Sequence, residues 1–263
     1  MPFPQTPRVI YAKNPLQKVI CQWRFPPILR IDSEIPSAFQ EAIIAEYPLY
    51  VEKPELQSDV RVALMSDQAP DIARQLASTT LVKNHEFSSE DGVWKVNLAR
   101  TFLAITTTVY SRWEEFESKF RSSYEALLQI YTPPFFTRIG LRYIDVFQRS
   151  KLGLEQANWS ELLQPYFLGL LSSSVSNRVN SLENTYEVSL EDERSIVRIA
   201  TSFAQDASTQ ERCFLVDSDF YVPGKTLLEE AGKRLDFLHM QATRLIRWMI
   251  TDKLHAAMEP HEI

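Results

Sequence analysis

The chain has 263 residues, 28 Lys and Arg against 34 Asp and Glu, a formal net charge of −6, and 44% apolar residues. That is enough apolar material for one large domain or two compact halves, and the acidic balance works against a nucleic-acid footprint spread over the whole surface. Glycine is scarce, at 6 residues, and neither GxGxxG nor GxxxxGK[ST] occurs, which excludes a dinucleotide-binding turn and a Walker phosphate cradle and leaves turns to the 15 prolines and to Asn, Asp and Ser.

The first strand candidate alternates Val19, Cys21, Trp23 and Phe25 on one face with Ile20, Gln22 and Arg24 on the other, and Pro26-Pro27 stop it. A helix capped by Ser33 is predicted next, with Ile35, Phe39, Ile43 and Tyr47 at steps of four before Pro48. Residues 49–81 show weak periodicity, read as a hairpin over 50–64 and a polar stretch over 66–80. Three runs rich in β-branched and aromatic residues, 82–88, 93–98 and 102–110, predict a meander. Ser111 with Glu114 reads as a capping box before a helix whose Trp113, Phe116, Phe120, Tyr124, Leu127 and Tyr131 form one stripe.

After Pro133-Pro134 the cycle restarts. A strand over 136–147 leads to a helix over 159–171, with Asn158 and Glu161 at capping-box spacing, and then to strands over 185–190, 195–203 and 212–221. A last helix, capped by Thr226 with Glu229, carries Leu228, Ala231, Leu235, Leu238, Ala242, Leu245 and Met249 at steps of three and four and is expected to reach Met258.

The expectation is therefore an α+β fold of two tandem βαβββα-like halves, 1–134 and 135–263, forming a curved antiparallel sheet packed against long helices. Two short matches support an internal repeat. Glu86-Phe87-Ser88-Ser89-Glu90-Asp91 matches Glu187-Val188-Ser189-Leu190-Glu191-Asp192 at a separation of 101, and Trp23-Arg24-Phe25 matches Leu141-Arg142-Tyr143 at 118. The difference is assigned to an insertion within 49–81. On this alignment Arg24 and Arg142 occupy equivalent sites on the open face of the sheet. There they pair with Glu86 and Glu187, lie in solvent, or clamp an anion.

The residues at Tyr11-Ala12-Lys13-Asn14-Pro15-Leu16, Val19, Gln22, Arg24-Phe25-Pro26 and Ile28-Leu29, with Gly140-Leu141-Arg142-Tyr143-Ile144 and Ile250-Thr251-Asp252, resemble a family of uncharacterised, sporadically distributed bacterial proteins of similar length. The resemblance implies no catalytic residue, ligand or cofactor. It implies an accessory or mobile-element role such as defence or toxin control.

Few residues suggest catalysis. His85, His239, His255 and His261 lack HExxH or CxxC company, and His239 beside the apolar stripe of the last helix reads as packed. Cys21 and Cys213 sit in apolar strand settings and read as buried, reduced thiols. Asp217 and Asp219 share one strand face, where they are either solvated or able to hold a cation or an acid–base pair. Arg244, Arg247 and Trp248 on the last helix are the candidate partner-binding residues; as a phosphate track that helix is diluted by Glu229, Glu230, Asp236 and Asp252. No run approaches the roughly 18 apolar residues of a membrane span, and no leader pattern opens the chain. The expected protein is thus a cytoplasmic, non-enzymatic interaction or regulatory protein needing no cofactor and no metal. It would hold a protein partner or a second copy, with no membrane association and with nucleic acid disfavoured. A small-anion or nucleotide binder using the paired sheet arginines is the alternative.

Overall fold

A computed structural model describes residues 2–55 and 82–262. Its strands are β1 (Val9–Tyr11), β2 (Leu16–Arg24), β3 (Leu49–Glu55), β4 (Val82–Ser88), β5 (Trp94–Ala99), β6 (Phe102–Thr107), β7 (Phe136–Phe147), β8 (Glu183–Ser189), β9 (Ile196–Gln205), β10 (Arg212–Thr226) and β11 (Pro260–Glu262). Nine of them form an antiparallel sheet in the order β3-β4-β5-β6-β2-β7-β10-β9-β8, while β1 and β11 pair separately as a clasp between the two ends of the chain. The mixed α+β class and the antiparallel sheet follow the sequence expectation. No helix among the described residues is long and apolar enough to cross a membrane.

The period-two alternation of the central strands decides which face is covered. Val19, Cys21 and Trp23 of β2 and Ile139, Leu141 and Tyr143 of β7 point to one side and are buried. The helices lie on that side. They are α1 (Arg30–Ser33), α2 (Ser37–Ile43), α3 (Trp113–Ile130), α4 (Trp159–Leu162), α5 (Pro165–Leu168), α6 (Leu228–Met249) and α7 (Asp252–Ala257). The α3 stripe is used as its spacing predicts: Phe120 and Tyr124 meet the Trp23 ring at 4.8 and 4.7 Å. Buried residues from both sides of position 134 belong to one hydrophobic cluster, which runs unbroken under the β2–β7 junction.

Outward from that junction, the strands follow the same order on both sides, β2-β6-β5-β4 and β7-β10-β9-β8. The ladders correct the alignment of the two arginines. Glu86 pairs across to Asn97, Asn97 to Ala104 and Ala104 to Gln22; on the other side Glu187 pairs to Arg198, Arg198 to Asp219 and Asp219 to Arg142. Starting from the Glu86 and Glu187 match, the counterpart of Arg142 is Gln22, and the two short matches cannot both be structural equivalences. An alternating pattern is unchanged by a slip of two, so it fixes the face and leaves the register open.

Local breaks account for the other differences. Pro36 is the N-cap of α2, and the restriction it places on its predecessor ends the helical run at α1, so Ser33 closes one short helix instead of opening a long one and Ile35 is 69% exposed. Arg112 is the N-cap of α3; the Ser111 hydroxyl donates to Glu115, and Glu114 is taken by Arg8. The Asn158 and Glu161 box forms, with Asn158 N donating to Glu161 at 2.9 Å, but the helix stops after one turn because Leu163 turns extended to bridge Ile250. The same bridge ends α6 at Met249, so the last helix does not reach Met258; Thr251 then caps α7, and Thr226 is the final residue of β10. Of the hairpin expected over 50–64, residues 50–55 belong to β3; its remainder, the polar stretch 66–80 and the inferred insertion lie outside the described residues.

Candidate functional site

The sheet's open face is a lattice of paired charges. Arg142 Nε donates to Asp217 at 2.6 Å and its Nη2 adds a second bond to the same carboxylate. Arg138 donates to both oxygens of Asp219 at 2.8 Å and lies over the Tyr221 ring. Arg24 Nε donates to Gln22 at 2.9 Å and stands opposite Arg138 in the β2–β7 register. Glu86 accepts from Lys53 at 2.8 Å with Lys95 at 3.6 Å, and Glu187 accepts from the Tyr221 hydroxyl at 2.7 Å. The expected pairing of Arg24 with Glu86 and of Arg142 with Glu187 is therefore corrected. Each glutamate lies three strand steps from its arginine, roughly 14 Å at about 4.8 Å per step, while Asp219 is the immediate cross-strand neighbour of Arg142 and Asp217 is next along β10. Asp217 and Asp219 do share a face, each held by an arginine. Among the described residues no group of three or more His, Cys, Asp or Glu is gathered for a metal.

The candidate partner residues of α6 are engaged within the chain. Arg244 is 8% exposed with Glu191 at 3.4 Å, and Arg247 pairs with Asp252. Trp248 is stacked on Tyr166 at 4.4 Å and packed by Phe3 and Phe167. His85 is buried between the Tyr50 hydroxyl and the Ile31 carbonyl, and Cys21 and Cys213 are free and buried.

A different set of side chains converges beneath α6. The N-terminal segment 7–16, the β7–β10 pair and α6 line a part-open cavity of about 120 Å³. Val9, Leu16, Phe220, Leu245, Ile246 and Met249 supply apolar wall. Its polar groups follow from the same alternation that builds the core. Tyr143 and Asp145 are successive inward positions of β7, Ser218 faces Tyr143 across the ladder, and His239 precedes Ala242, Ile246 and Met249 on one face of α6.

Asp145 is the exceptional member. It is 8% exposed, its cross-strand neighbours are Leu16 and Val216, and it makes no side-chain hydrogen bond or ion pair among the described residues. Burial alone pushes its carboxyl up to about 7. Nearby, the His239 ring is stacked 4.1 Å from Trp113, its Nδ1 is 3.0 Å from the Tyr143 hydroxyl, and its Nε2 is buried without a hydrogen-bond partner among the described residues. Burial, with a smaller contribution from Arg8, pulls His239 down to about 3, so the imidazole is neutral at pH 7. The Tyr110 ring meets Tyr143 edge-on at 6.3 Å, and burial raises both phenols.

The segment lining the cavity on the N-terminal side is tied down at several points. Arg8 grips both oxygens of Glu114 at 2.6 and 3.1 Å, which pulls that carboxyl down to about 2. The β1–β11 ladder, the Tyr11 hydroxyl at 2.8 Å from His255 Nδ1, and Lys13 on Glu259 at 2.9 Å hold the rest. Sequence reasoning passed over Asp145, although one signal was present: within the strand 136–147 it is the acidic residue at an inward position between Tyr143 and Phe147. Nothing local marked Tyr110 or the 7–16 segment, which reach the cavity through tertiary packing. Compared with known proteins, the chain is matched by no protein-family model and by no curated protein.

Proposed function

We propose that the protein binds a small organic molecule in the cavity under α6, with Asp145 as the polar anchor. The observation that carries this reading is a buried aspartate whose carboxyl has no hydrogen-bond or ion-pair partner among the described residues and lines a part-open, largely apolar cavity. An unpaired buried polar group costs roughly 1–3 kcal/mol, and such groups in apolar cavities concentrate at binding sites. A closed apolar cavity of about 150 Å³ accepts benzene, so about 120 Å³ suits a short branched chain, or a single ring that projects through the open side. The ligand carries a hydroxyl, amide or amine donor for Asp145, with the Tyr143 and Ser218 hydroxyls on the same wall. This keeps the regulatory, non-catalytic role expected from the sequence but moves its seat from the face of α6, which the chain itself covers, to the space beneath it.

Titration calorimetry and NMR chemical-shift mapping with toluene, benzyl alcohol and benzylamine test the proposal. Saturable binding of the donor-bearing compounds is expected, with shifts at Tyr143, Asp145 and Leu245 and at least tenfold weakening in Asp145→Asn. Failure of all three compounds to perturb those residues would end the reading.

A further inference from the structure

A second cavity, of about 200 Å³, lies beyond the last residue of β7 and beside the first residue of β10, lined by Arg149, Asn158, Trp159, Leu171, Ser176, Asn177, Phe203 and Arg212. The β7–β10 ladder closes at Phe147 opposite Phe214; Arg149 follows two residues later in helical backbone at the start of a 3-10 turn, Arg212 is the first residue of β10, and both line the cavity. Two guanidiniums lining one small cavity repel each other, so an anion shared between them would be stabilising.

Both guanidiniums are held in place by rings. Arg149 lies 4.9 Å over the Trp159 ring and Arg212 4.9 Å over the Phe203 ring, and both rings pack against Phe214. Arg149 donates from Nη1 to the Ala157 carbonyl at 2.8 Å, and Arg212 from Nη1 to the Val179 carbonyl at 3.2 Å. A guanidinium has five donors, and these bonds use one each. Arg149 Nε is buried without a hydrogen-bond partner among the described residues. Among the described residues neither arginine forms an ion pair with a carboxylate, although Glu211 adjoins Arg212 in sequence. Glu211 accepts from the Ser150 amide at 3.1 Å, the Ser150 hydroxyl and Gln148 at 3.2 Å; Arg149 is near enough to help lower its carboxyl but forms no ion pair with it. On the open face, by contrast, Arg138 and Arg142 are each neutralised by an aspartate.

We infer that Arg149 and Arg212 form a pocket for the oxyanion of a small molecule, a phosphate monoester or a carboxylate. The two planar forks supply charge-assisted donors, Asn158, Ser176 and Asn177 supply neutral polar groups around them, and Leu171 with the edges of Trp159 and Phe203 meets the organic portion of the ligand. The site shares no lining residue with the cavity of Asp145 and stands independently of it.

The experiment titrates the full chain with inorganic phosphate, phenyl phosphate and benzoate at constant ionic strength, reading tryptophan fluorescence and calorimetric heat. Saturable binding of at least one is expected, weakened tenfold or more in Arg212→Gln and Arg149→Gln, partly kept in Arg212→Lys, and unchanged in Asp145→Asn. In Trp159→Phe the fluorescence response should vanish while heat is retained. Phenyl phosphate binding with benzoate inert identifies the phosphate source, and the reverse identifies the carboxylate. No saturation by any of the three at millimolar concentration, or saturation undiminished in a folded Arg212→Gln, overturns the inference.

Discussion

Asp145 and His239 are inward-facing titratable groups that folding pushes in opposite directions. The carboxyl of Asp145 rises from an ordinary value of 3.8 to about 7, so between those values the folded state holds a proton that the unfolded chain has released. Its contribution to stability is complete below about pH 4 and is lost as pH rises through about 7, an effect on the order of 4 kcal/mol at about 1.4 kcal/mol per unit. His239 falls from 6.5 to about 3, so its contribution is present above pH 6.5 and is lost as the solution is acidified. From about pH 4 to 6.5 the two slopes oppose each other. Asp145→Asn is therefore expected to be more stable than the parent by a few kcal/mol at pH 8, to differ little near pH 4, and to leave the acid-side loss due to His239. Thermal unfolding of both proteins across pH 4–8 checks this, and a stability difference that does not vary with pH would contradict it. The pattern break at Asp145 could be read in the chain itself; the depth of its burial could not, because the segment that covers it comes from positions 7–16.

Individual elements show where local signals suffice. Strand β7 was readable because buried positions alternate from Leu141 to Phe147, with Asp145 as the polar exception in an otherwise apolar set. Gly140 is the apparent weak point of that strand, and the structure explains it: a Cβ there would meet Arg138 Nη1 at 2.1 Å, because the guanidinium lies across the bare backbone on its way to Asp219. Gly140→Ala should displace Arg138 from Asp219 at a cost of about 1 kcal/mol or less, since the obstructing atom ends a flexible side chain and the pair is partly solvated. Urea titration, with the Arg138 Nε resonance as reporter, measures both effects. Helix α6 was readable over its stripe and misread at its end. Its apolar periodicity continues at Leu254 and Met258, but Thr251 N donates to the Leu162 carbonyl at 2.9 Å and the Thr251 hydroxyl donates to Glu161 O at 2.8 Å. That hydroxyl also caps α7 by accepting from Leu254 N. Thr251→Val is expected to cost about 1–2 kcal/mol in urea unfolding, with the loss centred on α4 and α7 in hydrogen exchange.

At the scale of the molecule, the central β2–β7 pair makes one sheet and one core from the stretches before and after position 134. A single unfolding transition, coincident by tryptophan fluorescence and far-ultraviolet circular dichroism, is therefore expected, and fragments 1–134 and 135–263 should each fail to fold alone, because either would expose a long central strand edge and half of a shared core. Two separate transitions would show that the halves fold independently. The sequence by itself determined the strands of the central sheet from β4 to β10, their faces, and the covered stripes of α3 and α6, since periodicity and turn residues act over a few positions; the β1–β11 clasp and the break-up of the helix expected over 159–171 were not legible in it. Tertiary structure alone decided the register that matches Arg142 with Gln22, the aspartates that neutralise the sheet arginines, the bridge that breaks the last helix, and the enclosure of Asp145. Each of those depends on which distant strand or loop lies alongside, and an alternating pattern reads the same after a slip of two residues.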